Sequence, residues 1–171
     1  MDKSDKKSIL IITNGNFFAR LILEGVFNKW KDEIAGVIII RGDYKGRTGI
    51  KALWELGKTT AWPYLIYKVI SILFFRIAKL IFPKAIFGVV DLSTKFNLVC
   101  REYVSIKSEE VIKLIEEKQP DLIVSVSCPQ MIGKRILSSA KFGGLNIHSS
   151  LLPAYAGLAP YYWVLSNGEK Q

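Results

Sequence analysis

Short apolar runs recur along the chain and favour strands. The predicted strands are residues 8–13, 35–40, 103–106, 121–126 and 145–148. The first, second and fourth of these runs are largely apolar and rich in Ile and Val, without a regular alternation of apolar and polar residues. Such runs are typical of strands that are buried on both faces of a parallel sheet.

Segments with apolar residues at three- and four-residue spacing lie between these runs and favour helices. The predicted helices are residues 17–29, 108–119, 131–140 and 160–166. Ser108 is expected to be the N-cap of the second helix, and Pro120 follows its end. Strands that alternate with helices predict an α/β fold, in which a single domain contains a doubly wound, mostly parallel sheet.

Residues 62–82 do not fit this alternation, because they are almost wholly apolar over a length that suits one long helix. Lys68, Arg76 and Lys79 interrupt the segment, and no uncharged run in it approaches the roughly 20 residues that a membrane-spanning helix needs. The three cations share one sector of a helical wheel, which predicts an inserted amphipathic helix at about 61–82. Two interpretations stay open for residues 60–84. The helix packs on the domain or on a partner subunit, as in a homo-oligomer, or it lies on an anionic membrane surface.

Composition restricts the class of protein. The chain has 171 residues, of which 50% are hydrophobic and 23% charged, as in globular domains. Cys100, Cys128 and the one histidine form no metal-binding pattern, so we expect a reduced protein without a metal site. The charged N-terminus lacks the apolar core of a signal peptide, which favours a cytoplasmic location, with peripheral contact to the inner face of the membrane as a further expectation. The net charge of +9, mostly within residues 1–90, suits nucleic acid, phosphorylated substrates or anionic lipid.

Asn146 and His148 are the strongest candidates for chemistry. They are two residues apart on a predicted strand, so their side chains leave the same face and can reach one ligand. The strand ends at His148, and a turn-rich loop that contains Pro153 and Gly157 follows it. Open α/β sheets bind their ligands at the carboxyl ends of strands, so the pair predicts a functional site.

The same stretch carries a family signature. Residues 146–153, with Tyr155 and Gly157, resemble the Asn-Ile-His-Pro-Ser-Leu-Leu-Pro signature of the 10-formyltetrahydrofolate-dependent formyltransferases, which include methionyl-tRNA formyltransferases and glycinamide ribonucleotide transformylases. Residues 120–124 resemble the strand that precedes the signature. The residues that resemble the segment after it are Ala159, Pro160, Trp163, Asn167, Gly168 and Glu169. The resemblance extends well over 103–171, loosely over 8–40, and leaves 45–100 uncovered.

This resemblance implies a Rossmann-like fold and a reaction. A formyl group would pass from the co-substrate 10-formyltetrahydrofolate to a primary amine, and a phosphorylated or nucleotide-linked small molecule is the expected acceptor. Asn146 would donate a hydrogen bond to the developing oxyanion, while His148 would stabilise the same oxygen and assist proton transfer. The residues implied to contact the folate, mainly through backbone groups, are Pro129, Gln130, Met131, Ile132 and Leu137. The apolar members of this set suit the core of an α/β sheet equally well.

The acceptor amine is expected to contact the first strand-to-helix turn. Asn14, Gly15 and Asn16 lack the glycines of a dinucleotide-binding fingerprint, which counts against a nucleotide-binding α/β protein. Their backbone N–H groups would hold a phosphate of the acceptor, unless the three residues form an ordinary turn. Ser150 is the remaining candidate for substrate binding, and its hydroxyl also suits a hydrogen bond that orients His148.

Three positions depart from the family pattern. Ser149 stands where the family usually has proline, while Ala154 and Ala156 stand where methionyl-tRNA formyltransferases usually carry basic residues. Because both alanines lack charge, tRNA is not favoured as a partner. The expected partners are instead a small-molecule amine and folate.

A third catalytic residue of the family, an aspartate, is expected beyond Gln171. Asp91 and Asp121 are poor substitutes, because neither is predicted at the site's edge of the sheet. Residues 1–171 are therefore expected to be the N-terminal part of a formyltransferase catalytic domain that lacks its C-terminal portion, with little or no activity alone. The alternative is a non-catalytic formyltransferase-like module that binds a partner or a membrane surface through residues 60–84.

Overall fold

The computed structural model describes residues 7–43, 45–59, 62–156 and 160–168. Its elements in chain order are β1 (Ile9–Thr13), α1 (Phe17–Trp30), β2 (Ile34–Ile40), α2 (Gly49–Thr59), α3 (Trp62–Ile81), α4 (Val89–Lys95), β3 (Cys100–Tyr103), α5 (Glu109–Lys118), β4 (Leu122–Val126), α6 (Lys134–Leu137), β5 (Gly144–Ile147) and α7 (Pro160–Ser166).

The five strands form one sheet in the order β3-β2-β1-β4-β5, and every neighbouring pair is parallel. This arrangement confirms the predicted parallel α/β sheet. β1 lies at the centre, and the register of the β4–β5 pair sets Ser125 opposite Asn146. Because all strands are parallel, the loops that follow them meet at one edge of the sheet.

Alternate side chains of the central strands fill a core on each side of the sheet, which confirms that the fold is doubly wound. On one side, Ile11 and Ile39 pack with buried residues of α1 and α4. On the other side, Leu10 and Ile38 pack with Val111 of α5 and with apolar residues around α6. Burial on both faces explains why these strands are apolar without alternation.

Local hydrogen bonds explain where α1 begins. The Asn16 Oδ1 atom accepts a hydrogen bond from the Ala19 backbone N–H at 2.8 Å, which caps the helix. Gly15 has φ +73°, a conformation that side chains disfavour, and its carbonyl accepts from the Val89 N–H at 3.1 Å. The turn of Asn14 to Asn16 therefore connects β1 to α1 and also touches the start of α4.

Two predicted elements differ from the structure. The strand predicted at 103–106 is found at Cys100–Tyr103, because the backbone after Tyr103 turns away and its polar groups bind the Gln130 side chain. The helix predicted at 131–140 has only four residues, Lys134–Leu137. Ser108 stands at the N-cap position of α5, but its hydroxyl donates to the Ser105 carbonyl and does not cap the helix. The short helices α2 and α4 were not predicted.

The predicted inserted helix is present as α3, and it packs on the domain. The Phe75 ring stacks on Phe17 of α1 with centroids 5.0 Å apart and meets Phe87 at 6.0 Å. The Lys79 Nζ atom forms an ion pair of 2.7 Å with Asp91 of α4. These contacts agree with the interpretation in which the helix packs against the domain.

The packed side of α3 contains two of its three cations. Lys68 follows the buried Tyr64 by one turn, and burial lowers the pKa of its ammonium group. The opposite side exposes large apolar side chains, namely Ile66, Val69, Ile70, Leu73, Phe74, Ile77, Leu80 and Ile81. Within the described ranges, no helix is long and apolar enough to cross a membrane.

Candidate active site

A cleft of about 730 Å³ runs along β4 and β5 and reaches the loops at their carboxyl ends. Its lining residues are Lys107, Ile123, Ser125, Cys128, Pro129, Gln130, Met131, Ile132, Leu137, Gly144, Leu145, Asn146 and His148. The size suits a small organic ligand, and the position is the usual one for ligands of open α/β sheets.

Asn146 and His148 both line this cleft, as the strand geometry suggested. Asn146 lies on β5 opposite Ser125 of β4, so its carboxamide is beside a second polar group of the cleft. His148 follows the last residue of β5 and is half-buried. The cleft therefore offers an amide donor and an imidazole to the same ligand.

The loop after β5 engages one side of the His148 ring. The Ser150 Oγ atom lies 3.0 Å from His148 Nδ1, and the Ser150 carbonyl oxygen lies 3.4 Å from the same nitrogen. The Ser150 hydroxyl also donates to the Tyr155 carbonyl at 3.4 Å. These contacts fix the orientation of the imidazole within the loop.

The residues implied to contact folate all line the cleft. Met131 is 84% exposed at the opening, while Ile132 packs against the core beneath it. Gly144 lies beside this loop, and a side chain at that position would collide with Leu137. The loop thus combines core packing and an accessible surface, the two roles that the sequence left open.

Gln130 is the exception within this set, because its side chain faces inward and is only 5% exposed. Its amide nitrogen donates to carbonyls of the loops after β2 and β3, and its amide oxygen accepts from the loop after β3. The partners are the carbonyl oxygens of Gly42 (3.4 Å), Asp43 (2.9 Å) and Val104 (3.0 Å), the Ser105 hydroxyl (3.3 Å) and the Ile106 N–H (3.0 Å). This side chain joins the loops after β2, β3 and β4. Because it is occupied in this way, Gln130 can contact a ligand only through its backbone.

Sequence reasoning missed six residues that line the cleft, and three of these have a side chain that suits chemistry or binding, namely Lys107, Ser125 and Cys128. Cys128 directly precedes residues 129–132, the segment implied to contact folate, and this position was a usable signal. Burial raises the pKa of its thiol, which donates to the Gln130 carbonyl at 3.2 Å. Lys107 follows the edge strand β3 and reaches the cleft because Gln130 holds the preceding residues against the loop of residues 129–132.

The predicted phosphate-binding turn is not part of the cleft lining. Its side chains are engaged locally, since Asn14 Oδ1 accepts from the Asn16 N–H and Asn16 caps α1. Asp121 binds the Ser8 N–H at the opposite edge of the sheet, and Asp91 lies on α4. Neither aspartate lines the cleft. In the part of the chain that the structure describes, no three His, Cys, Asp or Glu side chains are grouped to hold a metal ion.

Part of the signature region is not described. Gly157, Leu158, Ala159 and Glu169 lie outside the described residues. Tyr155 lies within them, and its hydroxyl accepts a hydrogen bond of 2.9 Å from Asn167 Nδ2. This bond connects the loop after β5 to the end of α7.

A family model described as Formyl transferase matches residues 77–171. The matched range contains every residue that lines the cleft. It excludes α1, α2 and most of α3. The match is therefore centred on the cleft and not on the inserted helix.

Methionyl-tRNA formyltransferases match about two fifths to half of the chain. A methionyl-tRNA formyltransferase of Clostridioides difficile (strain 630) is 40% identical over 83 residues, which is 48% of this chain and 27% of that protein. A methionyl-tRNA formyltransferase of Alkaliphilus oremlandii (strain OhILAs) is 45% identical over 67 residues, 39% of this chain and 22% of that protein. The matched segment thus spans about a quarter of the length of these relatives.

Solved structures share the fold. Glycinamide ribonucleotide transformylase 1 from Geobacillus kaustophilus superposes with a TM-score of 0.55 at 16% identity, over 95% of this chain and 69% of that one. Phosphoribosylglycinamide formyltransferase from Bacillus halodurans superposes with a TM-score of 0.55 at 18% identity, over 94% and 66%. These similarities support the Rossmann-like architecture.

The expectation that tRNA is not favoured as a partner was wrong. It rested on the absence of charge at Ala154 and Ala156, where methionyl-tRNA formyltransferases usually carry basic residues. The relatives identified over 83 and 67 residues are methionyl-tRNA formyltransferases, so the two alanines do not separate this chain from that group.

Proposed function

This chain belongs to the formyl transferase family, and we propose that it transfers a formyl group from 10-formyltetrahydrofolate to a primary amine. The observation that carries the proposal is that Asn146 and His148 line one cleft at the carboxyl ends of β4 and β5. An amide donor beside an imidazole is what the addition of an amine to a formyl carbon requires.

The reaction exchanges one C–N bond for another. The amine nitrogen attacks the formyl carbon and forms a new C–N bond, and the carbonyl electrons move to oxygen in a tetrahedral intermediate. The bond from the formyl carbon to N10 of the folate then breaks as the carbonyl re-forms. One proton leaves the amine nitrogen and one is gained by N10, so the products are a formamide and tetrahydrofolate.

Asn146 and His148 divide this work. The Asn146 carboxamide donates a hydrogen bond to the oxyanion, and removal of such a donor typically slows a reaction by about 10²–10³-fold. His148 takes the proton from the amine nitrogen and delivers it to N10, because the reference pKa of imidazole lies close to neutral pH.

The chemistry of the cleft lining suits a folate. Ile123, Ile132 and Leu137 provide an apolar wall for a flat ring system, while Ser125 provides a polar contact. Lys107 is the one charged residue among the described residues that line the cleft. Its ammonium group suits the carboxylates of the glutamyl tail of the co-substrate.

The acceptor is a primary amine on a molecule that carries phosphate. The net charge of +9 supports this class, because a positive field attracts phosphorylated substrates. The class includes both an aminoacyl-tRNA, the substrate named for the relatives, and a phosphorylated or nucleotide-linked small amine.

The test measures formylated product by mass spectrometry. The full 171-residue chain is incubated with 10-formyltetrahydrofolate and either methionyl-tRNA or a small phosphorylated amine. We expect slow formation of product with one acceptor, in keeping with the low activity expected of residues 1–171 alone, a loss of about 10²–10³-fold for Asn146→Ala, and a comparable loss for His148→Asn. Unchanged rates in both variants, or absence of product with both acceptors together with no binding of the folate, would overturn the proposal.

Binding of the co-substrate is measured separately by calorimetry with 5-formyltetrahydrofolate, which resists transfer. Lys107→Gln is expected to weaken binding by about tenfold through loss of one charge-assisted contact. A pteroate analogue without the glutamyl residue should bind the variant and the wild type equally. Lys51→Gln, which removes an exposed cation of α2 outside the cleft, is the matched control. Equal affinity of wild type and Lys107→Gln for the complete folate would exclude this role for Lys107.

A further inference from the structure

We infer that Ser150 is a positioning residue that fixes His148 as the tautomer with its proton on Nδ1, which leaves Nε2 for proton transfer in the cleft. The inference rests on the proposed function for its chemical meaning. Its geometry is independent of that function, because it follows from the hydrogen bonds of one loop.

The first step concerns the two oxygen atoms near Nδ1. A carbonyl oxygen can only accept a hydrogen bond, and the Ser150 carbonyl lies 3.4 Å from His148 Nδ1. A contact of this kind is favourable only when Nδ1 carries the proton. In the neutral ring the other nitrogen, Nε2, then has the free electron pair.

The second step concerns the Ser150 hydroxyl, which can donate one hydrogen bond. Its donor is used toward the Tyr155 carbonyl at 3.4 Å, because that oxygen is also only an acceptor. Toward the ring, 3.0 Å away, Oγ is therefore the acceptor. Both contacts of Ser150 assign the proton to the same nitrogen of His148.

The third step concerns the contacts that fix Tyr155. Its backbone has φ +56°, so the loop turns sharply there, and its phenol oxygen accepts from Asn167 Nδ2 at 2.9 Å. A chain of hydrogen bonds thus runs from the end of α7 through Tyr155 and Ser150 to the imidazole. The tautomer is set by protein groups on the side of the ring away from the reaction.

This tautomer suits the proposed reaction. A lone pair on Nε2 can accept the proton of the attacking amine. In the resulting imidazolium the Nδ1 proton stays hydrogen-bonded to Ser150, and Nε2 then gives its proton to N10. In the other tautomer Nε2 already carries a proton, and the ring cannot act as a base from the cleft.

The chain contains one histidine, so the tautomer can be read directly. In the full chain labelled with [¹⁵N]histidine, long-range ¹H–¹⁵N spectra at a pH where the ring is neutral report one imidazole. We expect Nδ1 to resonate as a protonated nitrogen and Nε2 as an unprotonated one. The urea-unfolded chain provides the reference. A folded chain with the proton on Nε2, or with an equal mixture, would refute the assignment.

Variants distinguish a positioning role of Ser150 from a purely structural role. Ser150→Ala should move the ring toward a mixture of tautomers and lower kcat by about tenfold with little change in the KM for folate, since a misplaced proton removes the base. Ser150→Thr retains the hydroxyl and should restore both readouts. Ser149→Ala, which changes an exposed neighbour, should alter neither. An unchanged tautomer in Ser150→Ala would show that Ser150 does not position the ring.

The two readouts distinguish the failure of this inference from failure of the proposed function. The expected tautomer in a chain without transferase activity would leave the positioning role in place and count against formyl transfer. Activity in a chain whose histidine has the opposite tautomer would support formyl transfer and exclude the positioning role.

Discussion

The loops around the cleft and the inserted helix α3 are held in place by different kinds of contact. At the cleft, one buried amide side chain, that of Gln130, joins its own loop to the loops after β2 and β3 by directional hydrogen bonds to their backbone groups. At the insert, α3 is held by contacts of Phe75 with other aromatic rings and by the Lys79–Asp91 ion pair. The insert also exposes a broad apolar face to solvent, whereas the apolar residues of the cleft line a concave cavity.

This difference shows in which region the contacts fix atomic positions most precisely. Hydrogen bonds to backbone groups fix positions within a few tenths of an ångström, as a reaction requires, while aromatic contacts tolerate small shifts. The match to the formyl transferase family agrees with this division, because it includes all of the cleft and excludes α2 and most of α3. Changes in the two regions should therefore have separable effects.

The largest effect is expected for Gln130→Ala. The substitution leaves the buried Ile106 N–H without its partner and removes one of the two donors of the Asp43 and Val104 carbonyls, which should lower the free energy of unfolding by about 3 kcal/mol. Urea denaturation followed by circular dichroism measures the change. Met131→Ala, at an exposed neighbour, should cost less than about 0.5 kcal/mol.

Hydrogen exchange tests whether this effect is confined to the cleft. In Gln130→Ala the amides of the loops after β2, β3 and β4 should exchange faster, while the amides of α3 keep their wild-type rates. Faster exchange across α3 as well would mean that the two regions unfold together, and the contrast between them would not hold.

A smaller effect is expected for Phe75→Ala in the insert. Loss of the ring that stacks on Phe17 and meets Phe87 should reduce the free energy of unfolding by about 2 kcal/mol, less than for a fully buried phenylalanine because Phe75 is half-buried. Phe82→Ala removes the same group from a 60% exposed position and should change stability by less than about 0.5 kcal/mol. Folate affinity should be unaffected, and a loss of affinity in Phe75→Ala would indicate coupling of the insert to the cleft.

The sequence predicted the parts of the fold in which one physical requirement dominates. β1, β2 and β4 are buried on both faces, and their apolar runs show it. That Asn146 and His148 lie on one cleft was predictable, because residues two apart on a strand leave the same face.

The remaining features depend on contacts between distant residues. Residues 104–106 have strand-forming side chains, yet their backbone groups bind Gln130 and β3 ends before them. Lys107 reaches the cleft for the same reason, although β3 is an edge strand. α2 contains Gly49 and Gly57, which disfavour a helix, and its Glu55 is bound by two cations of the preceding loop. None of these contacts has a local sequence signal.

The smallest predicted effect sharpens the comparison through pH, and it concerns Asp91. Burial alone would raise the pKa of this carboxyl, but hydrogen bonds from Lys79 Nζ and from the backbone N–H groups of Phe87 and Gly88 hold the pKa below its ordinary value. A carboxyl whose pKa is lower in the folded state stabilises the fold above its unfolded pKa, near 3.9, and loses that contribution as pH falls through the folded pKa. Asp91→Asn should therefore cost about 1 kcal/mol at pH 7 and progressively less below about pH 4.

The measurement is urea denaturation of wild type and Asp91→Asn between pH 7 and pH 2, with Asp32→Asn as an exposed control that removes the same charge. Lys79→Met should reduce the pH-dependent difference without abolishing it, because the N–H groups of Phe87 and Gly88 still bind the carboxylate. A difference between wild type and Asp91→Asn that stays constant down to pH 2 would show that the ionised carboxyl does not hold α3 and α4 together. The insert would then depend on its aromatic contacts alone, and the contrast with the hydrogen-bonded cleft would be sharper still.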